Sequence, residues 1–327
     1  MGSDTVSKHL SPRESAKFIT EHADHVKVNS DAIQPLFYDD LKTGTFDISM
    51  HPKTMDVSTV IFLVDSLNFS FWTETVKYVV SFRGETHTGY MALCAAVNRA
   101  LEEGIDLLDA HVLANLTLEQ TKHIFRSATS AEIPLLETRH QLMLSNAETL
   151  LKKYNGCFSN CLTSCKGSAA DLLELVTRDF PSFDDRAVFK DQPVTFWKRA
   201  QILVADLWLA FKGQSFGYFK DIDSLTAFAD YRVPQVLAYF GVLEYDSELR
   251  QKLDKRTCLH AVECVAVTVA AFYFQLLVGR YRTIANDPSD VTCSAILADK
   301  FLWLYRRAHE AAVESRSPMH RTRCIYY

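Results

Sequence analysis

The chain has 327 residues, of which 48% are hydrophobic and 23% are charged, and its formal net charge is -5. A chain this apolar can bury enough surface to offset the entropy of ordering it, so intrinsic disorder is excluded. The acidic balance argues against a protein that follows a nucleic-acid backbone, because neutralising phosphates requires a surplus of Lys and Arg. These totals favour a globular protein that binds a small ligand.

The N-terminus, MGSDTVSKHL, contains no apolar stretch of the kind that a secretory signal needs. We expect a disordered tail over residues 1–9 and a single domain over residues 10–327. The first helix is predicted to begin at Ser11, which can cap it, with Pro12 at the first helical position. Glu14 can reach back to the cap and complete a capping box.

Two segments in the first third of the chain are rich in β-branched and aromatic residues. Residues 58–72 and residues 77–83 are therefore predicted to form antiparallel strands, joined around residues 73–76. Residues 84–89, which begin and end with Gly, are predicted to be the loop that leaves this pair.

The rest of the chain has helical periodicity. Thr117 and Gln120 are spaced as a capping box, Asn155-Gly156 is a typical helix stop, and residues 155–168 resemble a linker. The expected fold is α+β and predominantly α-helical, with a small antiparallel sheet near the N-terminal third. Helices are predicted at residues 90–102, 117–127, 133–154, 169–180, 196–211, 224–231, 234–242, 259–279 and 294–312.

The cysteines and the longest apolar run indicate the compartment. The eight cysteines stand mostly in apolar surroundings, as reduced thiols do, which favours a cytosolic or nuclear protein. Residues 265–279 are apolar but too short to span a bilayer, so we expect no membrane association. Cys157, Cys161 and Cys165 lack a fourth ligand for zinc, and no phosphate-binding glycine motif occurs. We predict neither a metal nor a cofactor.

The segment 221–235 (DIDSLTAFADYRVPQ) contains the most informative carboxylate. Pro234 disfavours helix at the residue before it, so Asp230 and Arg232 are predicted to lie at a corner between two helices. A carboxylate there is close to a helix N-terminus, which favours negative charge. Asp230 is therefore either a ligand-facing carboxylate or a simple cap of the next helix.

Two further segments place polar groups among apolar ones. On the helix at residues 196–211, Asp206 stands among apolar residues and must be structural or ligand-binding, whereas Lys198 is expected to be a solvated first-turn lysine. Asp65 and Asn68 stand beside Phe69 and Trp72, a combination suited either to a flat heterocycle or to an aromatic core strand. The aromatic C-terminal end, residues 321–327, is expected to dock on the protein.

Several blocks of the sequence resemble the queuosine-salvage proteins, in order from about residue 10 to the last residue. The region around residues 253–263 matches more loosely, which puts the role of Glu263 in doubt. The matching blocks are residues 11–15 (SPRES), 64–72 (VDSLNFSFW), 93–100 (LCAAVNRA), 198–206 (KRAQILVAD), 228–237 (FADYRVPQVL) and 323–327 (RCIYY).

This resemblance implies hydrolysis of queuosine 5′-monophosphate to free queuine for tRNA modification, and a helical architecture related to DNA glycosylases. It also implies that Asp230 is the catalytic carboxylate, with Lys198 nearby. A carboxylate suits this reaction, because breaking an N-glycosidic bond builds positive charge on the ribose. The other predicted substrate-binding residues are Asp65, Asn68, Phe69, Trp72, Asp206, Tyr231, Arg232, Glu263, Arg323 and Tyr327.

Queuine lacks the ring nitrogen that purines use at position 7, so its activation must come from hydrogen bonds to the six-membered ring. Asp65, Asn68 or Asp206 could serve the base edge, and Arg232, Lys198 or Arg323 the 5′-phosphate. Two alternatives stay open: a non-catalytic protein that binds queuine or a deazapurine nucleotide, and a glycosylase that acts on intact nucleic acid. A small nucleotide is the expected partner, and the sequence leaves the oligomeric state open.

Overall fold

The computed structural model describes residues 9–29, 57–228, 230–259 and 294–327. Helices dominate this part of the chain, and short antiparallel strand pairs accompany them, which confirms the predicted class. The strands are β1 (Val26–Val28), β2 (Val79–Phe82), β3 (Glu85–Thr88), β4 (Arg186–Phe189), β5 (Gln192–Thr195) and β6 (Leu243–Tyr245). The helices are α1 (Pro12–His22), α2 (Val57–Ser66), α3 (Tyr90–Glu102), α4 (Ala110–Ala114), α5 (Leu118–Ile124), α6 (Leu136–Tyr154), α7 (Phe158–Ser164), α8 (Ala169–Asp179), α9 (Lys198–Ala210), α10 (Val233–Tyr239), α11 (Ser247–Asp254), α12 (Ala295–Ala308) and α13 (Glu310–Arg316).

The predicted strand at residues 58–72 is wrong. Residues 57–66 form α2, in which every residue from Ser58 to Ser66 is buried. A helix that is apolar on all faces belongs in a core, and this tertiary burial outweighs the β-branched composition. A short apolar run does not distinguish the two structures by periodicity alone.

The predicted strand at residues 77–83 is confirmed at β2, but its partner is different. β2 pairs with β3, in the segment that was predicted to be a loop, and Val79 lies opposite Thr88. Arg83 and Gly84 connect the two strands with φ values of 50° and 81°. Positive φ at both positions matches the right-handed twist of a tight hairpin.

β4 and β5 form a second hairpin, and β1 pairs with β6 across a long stretch of sequence. The strand pairs are thus spread along the chain rather than collected in its first third.

The predicted helix at residues 224–231 is also wrong. A 3₁₀ turn at Ile222–Ser224 is followed by irregular backbone. Other helices satisfy the amide groups there: Gln201 accepts from the Thr226 N–H at 2.8 Å, and Asp299 accepts from the Phe228 N–H at 2.9 Å. Side chains that replace helical hydrogen bonds remove the reason to coil.

The ends of the helices were predicted better than the structure of the segments that follow them. The capping boxes at Ser11 and Thr117 are both formed, and α6 ends at Asn155 in the left-handed region. The linker-like stretch after Asn155 instead contains α7, which buries Phe158 and Cys161. The last predicted helix is broken at His309 into α12 and α13. The helix predicted at residues 259–279 lies outside the described residues.

Two hydrophobic clusters form the interior. The larger one packs α2 and α3 against α6 to α9, and the smaller one joins α1, α10 and α12 to the C-terminal residue Tyr327. In the described part of the chain no helix is both long and apolar enough to cross a membrane. The boundaries at residues 1–9 and 10–327 stay a prediction, since residues 1–8 lie outside the described part.

Candidate active site

Two cavities meet between the two clusters. The larger has a volume of about 400 Å³ and the smaller about 200 Å³, and the larger falls within the range typical of small-molecule sites. We call the larger one the arginine cavity and the smaller one the groove. Both are lined by Asn68, Tyr90, Lys198, Asp230, Trp303 and Arg307.

Asp230 lies on the irregular segment before α10, at the junction of the two cavities. Its Oδ1 accepts hydrogen bonds from the backbone N–H groups of Arg232 and Val233, at 2.7 and 2.8 Å. The side chain therefore caps α10 and also lines both cavities. These bonds fix the orientation of the carboxylate while engaging only one of its oxygens.

Lys198 stands at the first position of α9 and is only 4% exposed, so the expectation of a solvated lysine is wrong. Its Nζ donates to the Asn68 carbonyl oxygen at 3.4 Å. Burial lowers the pKa of the ammonium group, and the charge of Asp230 opposes that change. The site therefore contains a buried lysine within electrostatic reach of the capping carboxylate.

Asp185 is a buried acid next to the start of α9. Its carboxyl interacts electrostatically with Tyr327 and with the start of α9 at Lys198, and burial raises its pKa to about 7 against the charges of Arg199 and Lys198. One buried acid thus links the start of α9 to the end of the chain.

Two buried arginines hold the loop at residues 67–72. Arg139 donates to the carbonyl oxygens of Leu67 and Phe69, and Arg199 donates to that of Ser66. The Phe69 ring lies 4.2 Å from the Arg139 guanidinium carbon and 5.1 Å from that of Arg199. These cation–π contacts and hydrogen bonds rigidify the wall that carries Asn68.

The C-terminal end docks on the same loop, as predicted. The Ser70 hydroxyl donates to the Cys324 carbonyl at 2.8 Å, and the Ser70 N–H donates to the carbonyl of Tyr327, which is 3% exposed. The Arg323 guanidinium carbon lies 3.6 Å from the centre of the Trp72 ring, and Arg323 also donates to the Trp72 carbonyl.

The arginine cavity combines basic and acidic side chains. Arg306 is buried and pairs with Glu310 and Glu314 at 3.3 and 3.4 Å. Arg232, in contrast, has a buried Nη1 with no hydrogen-bond partner among the described residues. The basic residues that line this cavity are Lys77, Lys198, Arg232, Arg256, Arg306, Arg307 and Arg321.

The groove runs between α9 and α12 and begins beside the start of α3. Its polar side chains include Asp206, Asp299 and Lys300, set among apolar ones. Asp299 is 6% exposed, and burial together with the charge of Asp230 raises the pKa of its carboxyl well above the usual range. The apolar and sulfur-bearing lining includes Met91, Cys94, Ile202, Leu209, Phe228, Ile296 and Leu304.

Most of the predicted site residues come together. Asp65 and Arg323 line neither cavity: Asp65 is fully buried beneath the groove lining, and Arg323 packs on Trp72. Glu263 lies outside the described residues. The predicted residues that line a cavity are Asn68, Phe69, Trp72, Lys198, Asp206, Asp230, Tyr231, Arg232 and Tyr327.

Several cavity residues were missed in the sequence. Asp299, Trp303, Arg306 and Arg307 recur at spacings of three and four on α12, and all four line a cavity. A helix face that mixes acid, aromatic and basic groups among apolar residues is a usable signal. Tyr90 was missed as well, because the start of an apolar helix offers no such contrast.

Concave cavities that set a few polar groups among apolar and aromatic side chains are typical of small-molecule binding sites, so the fold and the site define a small-molecule-binding protein. The family model described as queuosine salvage protein matches residues 50–327. A relative from Mus musculus, named queuosine 5′-phosphate N-glycosylase/hydrolase, is 40% identical over 97% of this chain and 99% of its own length. A relative of the same name from Sphaerobacter thermophilus is 36% identical over 83% of this chain and 81% of its own length. The chain belongs to the queuosine salvage protein family.

Proposed function

We propose that this protein hydrolyses the N-glycosidic bond of queuosine 5′-monophosphate and releases queuine for salvage into tRNA. The names of the relatives state this substrate and this class of reaction. The observation that carries the proposal is the position of Asp230, whose carboxylate caps α10 at the point where the two cavities meet.

The charges of the cavities support one orientation of the nucleotide. The 5′-phosphate binds in the arginine cavity, where Arg232 has a buried donor that finds no hydrogen-bond partner within the described residues. The base lies in the groove, between apolar side chains and the carboxyl of Asp299. The ribose then bridges the junction, with its C1′ beside Asp230 and Lys198.

Asp230 acts on the sugar. As the bond between C1′ and the base nitrogen breaks, its electron pair leaves with the base and positive charge develops on the ribose. The Asp230 carboxylate stabilises that charge and orients a water molecule toward C1′. The hydroxyl group of the water bonds to C1′ and gives ribose 5-phosphate. The remaining proton of the water is transferred to the base, which departs as neutral queuine.

Asp299 and Asn68 serve the leaving base. Queuine cannot accept a proton at position 7, so its negative charge must be relieved through the six-membered ring. A carboxyl whose pKa is raised can donate a hydrogen bond at neutral pH. Burial raises the pKa of the Asp299 carboxyl, which favours the form that donates, and Asn68 lines the same groove.

The Asp230→Asn variant tests this proposal. We expect queuine release from queuosine 5′-monophosphate to fall by about 10²-fold or more, because the amide cannot stabilise the ribose charge. The amide oxygen can still cap α10, so nucleotide binding should persist in isothermal titration. Turnover close to that of the wild type would contradict the role of Asp230.

The same assay separates the competing functions. A non-catalytic deazapurine-binding protein would bind the nucleotide and release no queuine in either form. A glycosylase that acts on intact nucleic acid would release queuine from tRNA faster than from the monophosphate. We propose the free nucleotide as the partner and a cytosolic or nuclear location, which cell fractionation can check.

A further inference from the structure

The groove extends well beyond the junction that holds Asp230. It follows α9, where Lys198, Ile202, Asp206 and Leu209 all line it. Eight residues separate Lys198 from Asp206, which corresponds to about 12 Å along a helix axis. The far part of the groove therefore contains a carboxylate that the reaction at C1′ does not use.

A second carboxyl lies behind Asp206. Asp65 on α2 is 0% exposed, and neither of its carboxyl oxygens has a hydrogen-bond partner among the described residues. The hydroxyl of Tyr90, which lines the groove, is likewise buried without a hydrogen-bond partner in the described part of the chain. Buried polar groups are normally satisfied. Because Tyr90 lines the groove, a ligand there can complete the hydrogen bonding of its hydroxyl, whereas Asp65 lies behind the lining and acts through Asp206.

The two carboxyls act as a pair. Burial raises the pKa of Asp65 well above its usual range, the charge of Asp206 raises it further, and Lys198, Arg199 and Lys300 oppose these effects. Two neighbouring carboxyls rarely ionise together. Asp65 is the fully buried member of the pair, and Asp206 is the member that lines the groove.

On the proposed function, the ligand carries a matching charge. The side chain of queuine bears a secondary amine that is protonated at neutral pH, a few bonds away from the glycosidic nitrogen. With C1′ beside Asp230 and the ring in the groove, this amine lies in the direction of Asp206. A charged hydrogen bond between an ammonium and a carboxylate is among the stronger polar contacts in proteins.

We propose that Asp206 binds the protonated side-chain amine of the base and that Asp65 is the residue that positions Asp206. This inference rests on the proposed function and adds a basis for specificity. A charge-assisted contact contributes about 1.5–3 kcal/mol, which corresponds to roughly 10- to 150-fold in affinity. Asp206 thereby makes the enzyme select deazapurine nucleotides with an amine over ordinary guanine nucleotides.

Three substrates test the inference on the wild-type protein. Queuosine 5′-monophosphate and 7-aminomethyl-7-deazaguanosine 5′-monophosphate both carry the amine, whereas 7-deazaguanosine 5′-monophosphate lacks it. We expect KM for the third to be at least about tenfold higher than for the other two. Equal KM values for all three overturn the inference. If none of the three substrates is hydrolysed, the proposed function is overturned instead.

Variants locate the effect on the protein. Asp206→Asn should remove most of the preference for the amine, measured as the ratio of KM for 7-deazaguanosine 5′-monophosphate to KM for queuosine 5′-monophosphate, because the amine is the group that meets this carboxylate. Glu148→Gln, which neutralises an exposed acid on α6, is the matched control and should keep the preference. An unchanged preference in Asp206→Asn overturns the assignment, and if that variant does not fold, the wild-type comparison decides alone.

The test of Asp65 must distinguish a role in positioning Asp206 from a role in folding alone. Asp65→Asn keeps a polar side chain of the same size behind Asp206 and should keep the amine preference, whereas Asp65→Leu should lose it, because the leucine offers no polar group to the Asp206 carboxylate. Both variants are compared by the ratio of KM values for the substrates with and without the amine. Retention of the wild-type ratio in Asp65→Leu overturns the positioning role.

Discussion

Asp230 combines two roles that its sequence context presented as alternatives. Its Oδ1 caps α10, as a common capping Asp would, and the side chain also lines both cavities. The two roles are compatible because a carboxylate has two oxygens and capping engages one. The capping hydrogen bonds also orient the Asp230 carboxylate, so that no other side chain is required to hold it.

Arg232 gives a prediction at the residue scale. Arg232→Met should weaken competitive inhibition by ribose 5-phosphate by roughly tenfold or more, because the phosphate loses a charge-assisted donor. Inhibition by free queuine should stay unchanged, since the base lies in the groove. Arg83→Met, which removes an exposed ion pair with Glu102, is the control. Equal weakening of both inhibitors would contradict the phosphate role.

At the scale of elements, the loop at residues 67–72 depends on donors from outside itself. Its carbonyl groups at residues 67–69 accept from Arg139 and Lys198 rather than from a strand partner, and Arg199 binds the Ser66 carbonyl immediately before the loop. Because the donors come from α6 and α9, the loop has its shape only when both helices are in place.

The Arg139→Met variant measures this dependence. The substitution removes the Arg139 donor from the buried Phe69 carbonyl and one of the two donors of the Leu67 carbonyl, and each lost hydrogen bond to a charged group costs about 1.5–3 kcal/mol. We expect the free energy of unfolding to fall by about 2–5 kcal/mol in urea titration. Arg83→Met, which removes an ion pair between two exposed side chains, should change it by less than about 1 kcal/mol. A similar loss of unfolding free energy in both variants would contradict the role of Arg139 in holding the loop at residues 67–72.

Asp185 gives the protein a pH-dependent stability. Because burial raises its pKa to about 7, the folded state retains a proton that the unfolded chain releases near pH 4. The contribution of Asp185 to stability therefore decreases as the pH rises from about 4 to about 7.

The Asp185→Asn variant should accordingly be more stable than the wild type above pH 7. The difference in unfolding free energy should vanish toward pH 4, where the acid is protonated in both states. Urea titrations at a series of pH values measure it. A difference that grows toward low pH would contradict the burial of a protonated Asp185.

At the scale of the whole molecule, the net charge of -5 opposes long-range attraction to nucleic acid. The basic side chains of the arginine cavity are matched by Glu74, Glu310 and Glu314. This local balance suits one phosphate group better than a polyanion.

We therefore expect no salt-dependent binding of tRNA. The logarithm of the binding constant should show no slope against the logarithm of the salt concentration in filter binding or fluorescence anisotropy. A slope that corresponds to several released counterions would contradict the small-nucleotide substrate and favour action on intact tRNA.

The sequence by itself determined what depends on nearby residues. The capping boxes at Ser11 and Thr117 and the stop at Asn155 were predicted because each requires only three or four adjacent positions. The docking of the C-terminal end followed from the cost of exposing its aromatic rings. The resemblance of short blocks identified Asp230 and Lys198 together with the family.

Only the tertiary structure decided the rest. Residues 57–66 are a helix because they are surrounded on all sides, and residues 225–228 are irregular because Gln201 and Asp299 replace their helical hydrogen bonds. Lys198 is buried because the 67–72 loop covers it. Each of these outcomes depends on partners far away in the chain, and no local pattern records them.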